Sequence, residues 1–436
     1  MPSNWALNVE WEPVGSGPPE ERVCIAALGI QANGVWLTEG RDALANRLRK
    51  APLLSAYHLA EWIAWNWWRL RWEPRSNAID WAYSHRLTTI GGGYIWPNVT
   101  IFSDGERTAL IAKPTDERPQ TPFRYIADFA AVVQASEFET EVDDFVDQVL
   151  QRLDSENIGN TNLAIIWQGV LKERHAPQLT RTRKLEALLG QEPDESNPQT
   201  LARLIADAEQ LSMASVEEIA ADHRPDGSVS TADDLYEIAK KKGFDASPPD
   251  MVRLSPGSGL PRVGQVPAWR LGAAAAKALR EQEKLDGKPI SNDLLAKMAG
   301  TQTSIIGDHK SGQNISFALD DGSQHSRIVL RSKWDDGRRF ELARLLGDRI
   351  AGSRGGRLFP ATRAYTYRQK MQRSFAAEFL SPFEAIDEML AGDCSTESQF
   401  EVAEHFGVSE LTIRTLLVNH GRLEREDLDA EFEAAA

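Results

Sequence analysis

Cysteine is almost absent from this sequence, with Cys24 and Cys394 its two examples. They are too far apart for a metal-binding spacing or a disulfide framework, so neither a zinc ribbon nor a small cross-linked secreted scaffold fits. Histidine is also sparse, and His175 and His223 stand with no partner at ligand spacing. No apolar run approaches the roughly 20 residues that span a bilayer, so no membrane association is expected. The opening residues M-P-S-N-W lack the basic start and apolar stretch of a signal peptide, and the expected location is cytoplasmic. Net positive charge is missing too: −15 overall argues against broad non-specific binding to nucleic acid. The three glycines of G-G-G-Y-I-W-P (91–97) can bring backbone near a ligand but lack phosphate-loop spacing.

What is present has the composition of a globular protein, 42% hydrophobic and 26% charged, over a length that suggests two to four domains. The charge is uneven. Residues 327–373 hold thirteen Lys/Arg against four acids, a local +9 that leaves −24 for the rest of the chain. Such an island is either a solvated face paired to the protein's own acids or a surface for an anionic partner. Arg338, Arg339, Arg368 and Arg373 are the residues expected to form that surface.

Residues 1–125 are the most β-like part. W-A-L-N-V-E-W (5–11), V-C-I-A-A-L-G-I (23–30) and G-V-W-L-T (34–38) read as strands, and 99–103 with 107–112 as a hairpin turning at Asp104-Gly105. Between them, residues 56–72 read as a tryptophan-rich helix, with Leu59, Trp62, Trp65, Trp68 and Trp72 on its apolar face. Residues 126–225 read as a helical domain, with helices at 140–153, 162–171, 183–190 and 200–211, the third stopped by Gly190. Residues 226–266 read as a linker with one short helix near 232–242, because Pro, Gly and Ser concentrate there. From 267 to 436 the pattern is helices at 268–280 and 289–299, a hairpin (315–319 with 327–332), then further helices. The fold expected is α+β and predominantly α.

Two of those last helices carry a motif outline. Residues 338–350 read R-R-F-E-L-A-R-L-L-G-D-R-I, and 368–382 read R-Q-K-M-Q-R-S-F-A-A-E-F-L-S-P. Together they resemble the core of the ImmA/IrrE metallo-endopeptidase family, whose zinc helix carries F-x-L-A-H-E-x-G-H and whose second helix carries E-x-x-A-N-x-F-A-A-x-L-L-x-P. The resemblance covers about 268–423 and is specific within 327–420. Phe340, Leu342, Ala343, Gly347, Phe375, Ala376, Ala377, Leu380 and Pro382 match. The reactive positions do not. Arg344 stands at the first zinc histidine, Leu345 at the catalytic glutamate, Asp348 at the second histidine and Gln369 at the third ligand. A guanidinium only donates and a leucine takes no proton, whereas a catalytic zinc needs three protein ligands and an open position. The expectation is therefore a zincin-like domain with no metal, no cofactor and no catalytic residue. Arg344 and Asp348, four residues apart on one helix, are expected to pair.

The tail continues the outline. Ser381 and Pro382 read as a helix start, Thr396 and Gln399 as another, and 396–419 as a helix-turn-helix with its turn at Gly407. On the second helix, Ser409, Thr412, Arg414 and Thr415 are the positions that would read DNA, with Glu410 opposing phosphate. The resemblance implies that such a tail packs beside the peptidase core, and it implies settings such as toxin–antitoxin pairs, prophage control, stress-response repressor cleavage and anti-phage defence. A binding or regulatory role with a protein partner is expected. A DNA-binding regulator and an enzyme with its site in residues 1–225 are the rivals.

Overall fold

The computed structural model describes residues 4–78, 80–115, 121–222, 228–308, 314–322, 324–352 and 356–424. His223 lies outside them, as does Arg354 of the basic island. The chain is mixed α/β and predominantly helical. It divides into two compact units, the first comprising Met1–Leu201 and the second beginning at Ala202. This division cuts the 126–225 segment, so the expected helical middle domain is not a unit of its own. No helix among the described residues is long and apolar enough to cross a membrane.

In the first unit, β1 (Trp5–Trp11) pairs antiparallel along its length with β2 (Ile25–Ala32), Trp5 facing Ala32, with α1 (Pro19–Val23) between them. β3 (Val35–Trp36) also pairs with β2. β4 (Gly40–Asp42) and β5 (Arg47–Arg49) pair with each other, and β6 (Leu53–Ser55) returns to β2. Ser55 then caps α2 (Ala56–Trp72), its side chain accepting from the His58 N–H. After α3 (Trp81–His85) comes the hairpin of β7 (Val99–Ser103) and β8 (Arg107–Ala112), turning at Asp104-Gly105 as expected, with Gly105 at φ +100°. β9 (Phe123–Tyr125) joins β4, and β10 (Phe129–Gln134) joins β8. α4 (Ala135–Ser155), α5 (Asn162–His175) and α6 (Pro177–Leu188) follow, and α2 packs against all three. Gly190, at φ +71°, ends that run as expected.

The apolar face of α2 departs from the expectation at Trp65, while Leu59 and Trp68 are buried and Trp62 and Trp72 pack against the core as expected. Leu59, Ile63, Trp67 and Leu70 are buried, whereas Trp65 is 60% exposed. Residues three apart advance only about 300° around a helix, so each such step falls back by about 60°. A run of threes from Leu59 therefore reaches the water side at Trp65, and one step further Trp68 is buried again, its Nε1 donating to Glu173. Trp67 stacks on Phe138 with ring centroids 6.2 Å apart and meets Trp167 edge-on at 5.5 Å. Gly91, Gly92 and Gly93 are exposed, and a Cβ on Gly92 would lie 3.3 Å from the His58 ring. Both cysteines are free, and burial pushes the Cys24 thiol up to about 12.

α7 (Pro198–Leu211) straddles the division between the units, and α8 (Met213–Ala220) belongs to the second. In the segment expected as a linker, the expected short helix is α9 (Ala232–Lys242), and it leads into β11 (Phe244–Ala246), a strand not expected there. Next come α10 (Ala268–Gln282), α11 (Asn292–Met298) and the single turn α12 (Ser304–Gly307). The hairpin β12 (Ser316–Asp320) and β13 (Ser326–Val329) precedes α13 (Asp335–Ala351). β14 (Leu358–Ala361) then completes an antiparallel sheet ordered β11-β13-β12-β14. α14 (Tyr367–Leu380), α15 (Phe383–Leu390), α16 (Thr396–Phe406) and α17 (Glu410–Asn419) close the unit. Two caps differ from the sequence reading. Ser381 donates back to the Ala377 carbonyl rather than starting α15, whose Phe383 N–H is taken by Glu378, and α16 is capped by Ser395.

Candidate functional site

The positions singled out in the second unit sit on α13 and α14, which pack on each other and on α10. Two glycines allow the close approach. A Cβ on Gly347 would lie 2.5 Å from the Phe375 ring, and one on Gly272 would lie 2.4 Å from the Met371 carbonyl. Between the helices and β14 lies a buried polar layer. Arg344 Nη2 donates to the Thr362 carbonyl (2.7 Å), to Gln369 Oε1 (2.6 Å) and to Gln372 Oε1 (3.4 Å). Gln369 accepts from the Thr362 N–H at 2.8 Å, and both Gln369 Nε2 and Gln372 Nε2 donate to the Pro360 carbonyl at 3.0 Å.

Asp348 is held by a different cation. Arg368 grips it through both forks, Nε–Oδ1 at 2.8 Å and Nη2–Oδ2 at 2.6 Å. The expected pair between Arg344 and Asp348 is thus not formed. Both side chains reach across to α14 instead, because a bidentate guanidinium–carboxylate contact outweighs a single contact along one helix. Leu345 is not in this layer: it is 2% exposed, in the hydrophobic core. Arg344 and Gln369 are therefore joined in one hydrogen-bond network, while Asp348 is held by Arg368 instead. Both Asp348 oxygens are occupied, and Arg344 has no lone pair to give.

A segment that sequence reasoning missed covers the layer's outer side. α8 and its flanks run along the edge of β14 that β12 leaves free. The Leu211 carbonyl accepts from the Arg357 N–H (3.2 Å), and Ser215 Oγ donates to the Leu358 carbonyl (2.6 Å). Glu218 accepts from Thr366 Oγ1 (2.7 Å), and Asp222 accepts from the Arg363 N–H (2.8 Å). The one signal for α8 was the apolar spacing of Val216, Ile219 and Ala220; nothing local names the strand it covers.

Burial holds the Glu218 carboxyl above its ordinary 4.5, against the opposing pull of Arg368 and the Thr366 hydroxyl. The folded state thus binds this proton more tightly than the unfolded chain. The associated stability is fully present below 4.5 and is lost as pH rises through the raised value. Glu218→Gln keeps an acceptor for Thr366 and removes the titration. Its melting temperature is expected to exceed wild type near neutral pH, with the difference shrinking toward pH 4. Parallel melting curves for the two proteins across that range would exclude this linkage.

The basic island is mostly turned inward, which corrects the expectation of an open contact surface. Arg338 is 0% exposed and donates to the Ile305 and Ser332 carbonyls. Arg339 reaches from α13 to the Gly407, Phe406 and Ile290 carbonyls and to Asn292. Arg368 is bound to Asp348, and Arg373 donates to the Ala364 carbonyl. The physical reason is that a guanidinium carries five donors in a fork. It can satisfy the carbonyls that helix ends leave open, so a run of arginines can belong to the interior.

The tail forms two helices joined at Gly407, which adopts φ +62°. Ser409 and Thr412, expected as DNA-reading positions, are engaged locally: Ser409 Oγ accepts from the Thr412 N–H, and Thr412 is 8% exposed. The Thr415 hydroxyl donates to the Leu411 carbonyl at 2.7 Å, and Arg414 is half-buried. Ile413, Leu416 and Leu417 pack in the core shared with α13 and α14. Beyond α17, His420 stacks on Phe383 at 3.7 Å and bonds Glu378 at 2.7 Å.

The first unit holds a partly buried ionic network that sequence reasoning did not find. His85, 0% exposed, bonds Glu73 (2.9 Å) and the Ile101 carbonyl (2.7 Å). Arg69 joins Glu73 (2.7 Å) to Glu192 (2.8 Å). Compared with protein families, with curated proteins and with solved structures, the chain matches none.

Proposed function

We propose that this chain is a catalytically inactive relative of the ImmA/IrrE endopeptidases, acting as a binding or regulatory component. The setting proposed is a bacterial toxin–antitoxin, prophage-control or anti-phage system, with a protein as partner. The observation that carries this reading is the wiring of Arg344, Asp348 and Gln369. The positions that resemble zinc ligands engage Thr362, Arg368 and Pro360 instead, and α8 covers the adjacent strand edge. The buried Thr412, and the Ser409 hydroxyl engaged as the cap of α17, favour a packing role for the tail over a DNA-reading one.

The experiment is elemental analysis of the purified chain together with a cleavage assay on a repressor-type substrate. The expected result is no stoichiometric zinc and no cleavage. About one zinc per chain, lost on Asp348→Ala, would overturn the reading, since a catalytic zinc requires a ligand set of this kind.

A further inference from the structure

The arginines of the basic island fall into two classes. Arg338, Arg339, Arg349 and Arg368 each make two or more hydrogen bonds to carbonyls or carboxylates. Arg331, Arg363 and Arg373 make at most one through their side chains, Arg344 donates only to neutral carbonyl oxygens, and these four cluster around the residues that follow β14.

Their placement is set by backbone contacts. Arg344 donates to the Thr362 carbonyl and Arg373 to the Ala364 carbonyl, both at 2.7 Å, with Arg363 between those two residues. The Arg331 N–H donates to Ser316 Oγ, and Ser316 pairs with Ala361. Arg344 is the innermost, 5% exposed. Its Nε is buried with no hydrogen-bond partner, its Nη2 meets only neutral acceptors, and no carboxylate lies in ion-pair contact with it among the described residues. The Arg363 side chain is solvent-exposed and makes no hydrogen bond or ion pair among the described residues. Arg331 has a single 3.3 Å contact, to Glu341, and keeps 30% of its side chain exposed. Arg373 lies over the Tyr365 ring at 5.2 Å, and Tyr365 is 43% exposed.

Two carboxylates stand nearby, and both are engaged. Glu341 accepts from the Arg331 and Ser332 N–H groups, and Asp222 accepts from the Arg363 N–H. A guanidinium buried without a counter-charge is costly, and guanidinium forks match the oxygens of a tetrahedral oxoanion. We propose that Arg344, Arg331, Arg363 and Arg373 form a receptor for an oxoanion of the phosphate class, with Arg344 at its base. Burial and the neighbouring Arg373 and Arg331 charges pull the Arg344 guanidinium down to about 9, against the opposing pull of Glu341 and Asp222. The site holds whether or not the domain is a former peptidase, so the zinc test and the test below fail independently.

The test is calorimetric titration of the full chain with inorganic phosphate and, separately, with phosphoserine, against chloride at matched ionic strength. One phosphate group per chain is expected to bind, and chloride is not. Arg363→Gln, an exposed change that leaves the fold intact, is expected to weaken binding about tenfold, as is Arg344→Gln if it folds. Tighter binding of phosphoserine than of free phosphate would place the anion on a larger ligand, and equal or weaker binding would identify the free ion. An identical response to phosphate and chloride would overturn the proposal, as would phosphate binding unchanged by Arg363→Gln.

Discussion

Asp348→Ala is expected to cost about 3–5 kcal/mol of the second unit's stability, because it leaves the charge of Arg368 buried without its partner. The Asp348 side chain is 0% exposed and that of Arg368 is 11% exposed, so water cannot take over the lost contact. Glu218 attracts Arg368 but makes no ion-pair contact with it, and its acceptor is engaged by Thr366. Replacing both partners by apolar residues, Asp348→Leu with Arg368→Met, is expected to recover most of the loss, since burying neither charge is often neutral or better. The measurement is chemical denaturation followed by hydrogen exchange in α13 and α14. Tryptophan fluorescence is a poor reporter for this unit, because only Trp269 and Trp334 of the thirteen tryptophans lie beyond Leu201. A loss for Asp348→Ala within about 1 kcal/mol would mean the pair behaves as a solvated one.

The second large effect is expected in the first unit, from two tryptophans two residues apart. Trp67→Ala removes a side chain that is 1% exposed and sits between Phe138, Trp167 and the Arg174 guanidinium. A loss of about 3–5 kcal/mol follows from the lost burial and the cavity left behind. Trp65→Ala, on the wet side of the same helix, is expected to change stability by no more than about 0.5 kcal/mol. Tryptophan fluorescence suits this comparison, since eleven of the thirteen lie in the first unit. Equal losses for the two variants would show that the face of α2 is assigned wrongly.

The helices were legible because their apolar spacing and their breakers agree. Residues 56–72 are helical to the residue, and 162–171, 232–242 and 268–280 lie within helices of the same or slightly greater length. β14 was not legible, because Pro360 reads as a breaker. It is tolerated at an edge, where its missing N–H interrupts little and its carbonyl is taken by Gln369 and Gln372. β11 has three residues in a Pro/Gly-rich stretch and finds its place only by pairing with β13. The polar layer was half legible. The motif outline singled out Arg344, Asp348 and Gln369, but their partners Arg368 and Thr362 depend on how α13 crosses α14, which spacing along one helix does not encode. Charge counting failed in a different way. It registers how many arginines a segment holds but not whether their donors meet water or main-chain carbonyls.

The helix along β14 has a further consequence, for the colloidal behaviour of the protein. An exposed sheet edge is a template on which another chain can add a strand, and natural proteins shield such edges. Here the shield is α8 with the residues after it: Ser215 and Asp222 occupy polar groups of the Leu358–Arg363 backbone that a foreign strand would seek. The shield precedes its strand in the chain by more than a hundred residues, so during synthesis α8 is made well before β14 leaves the ribosome. The adhesive edge can be covered as soon as it forms, and crowded, half-finished copies of the chain are kept from sticking to one another through it.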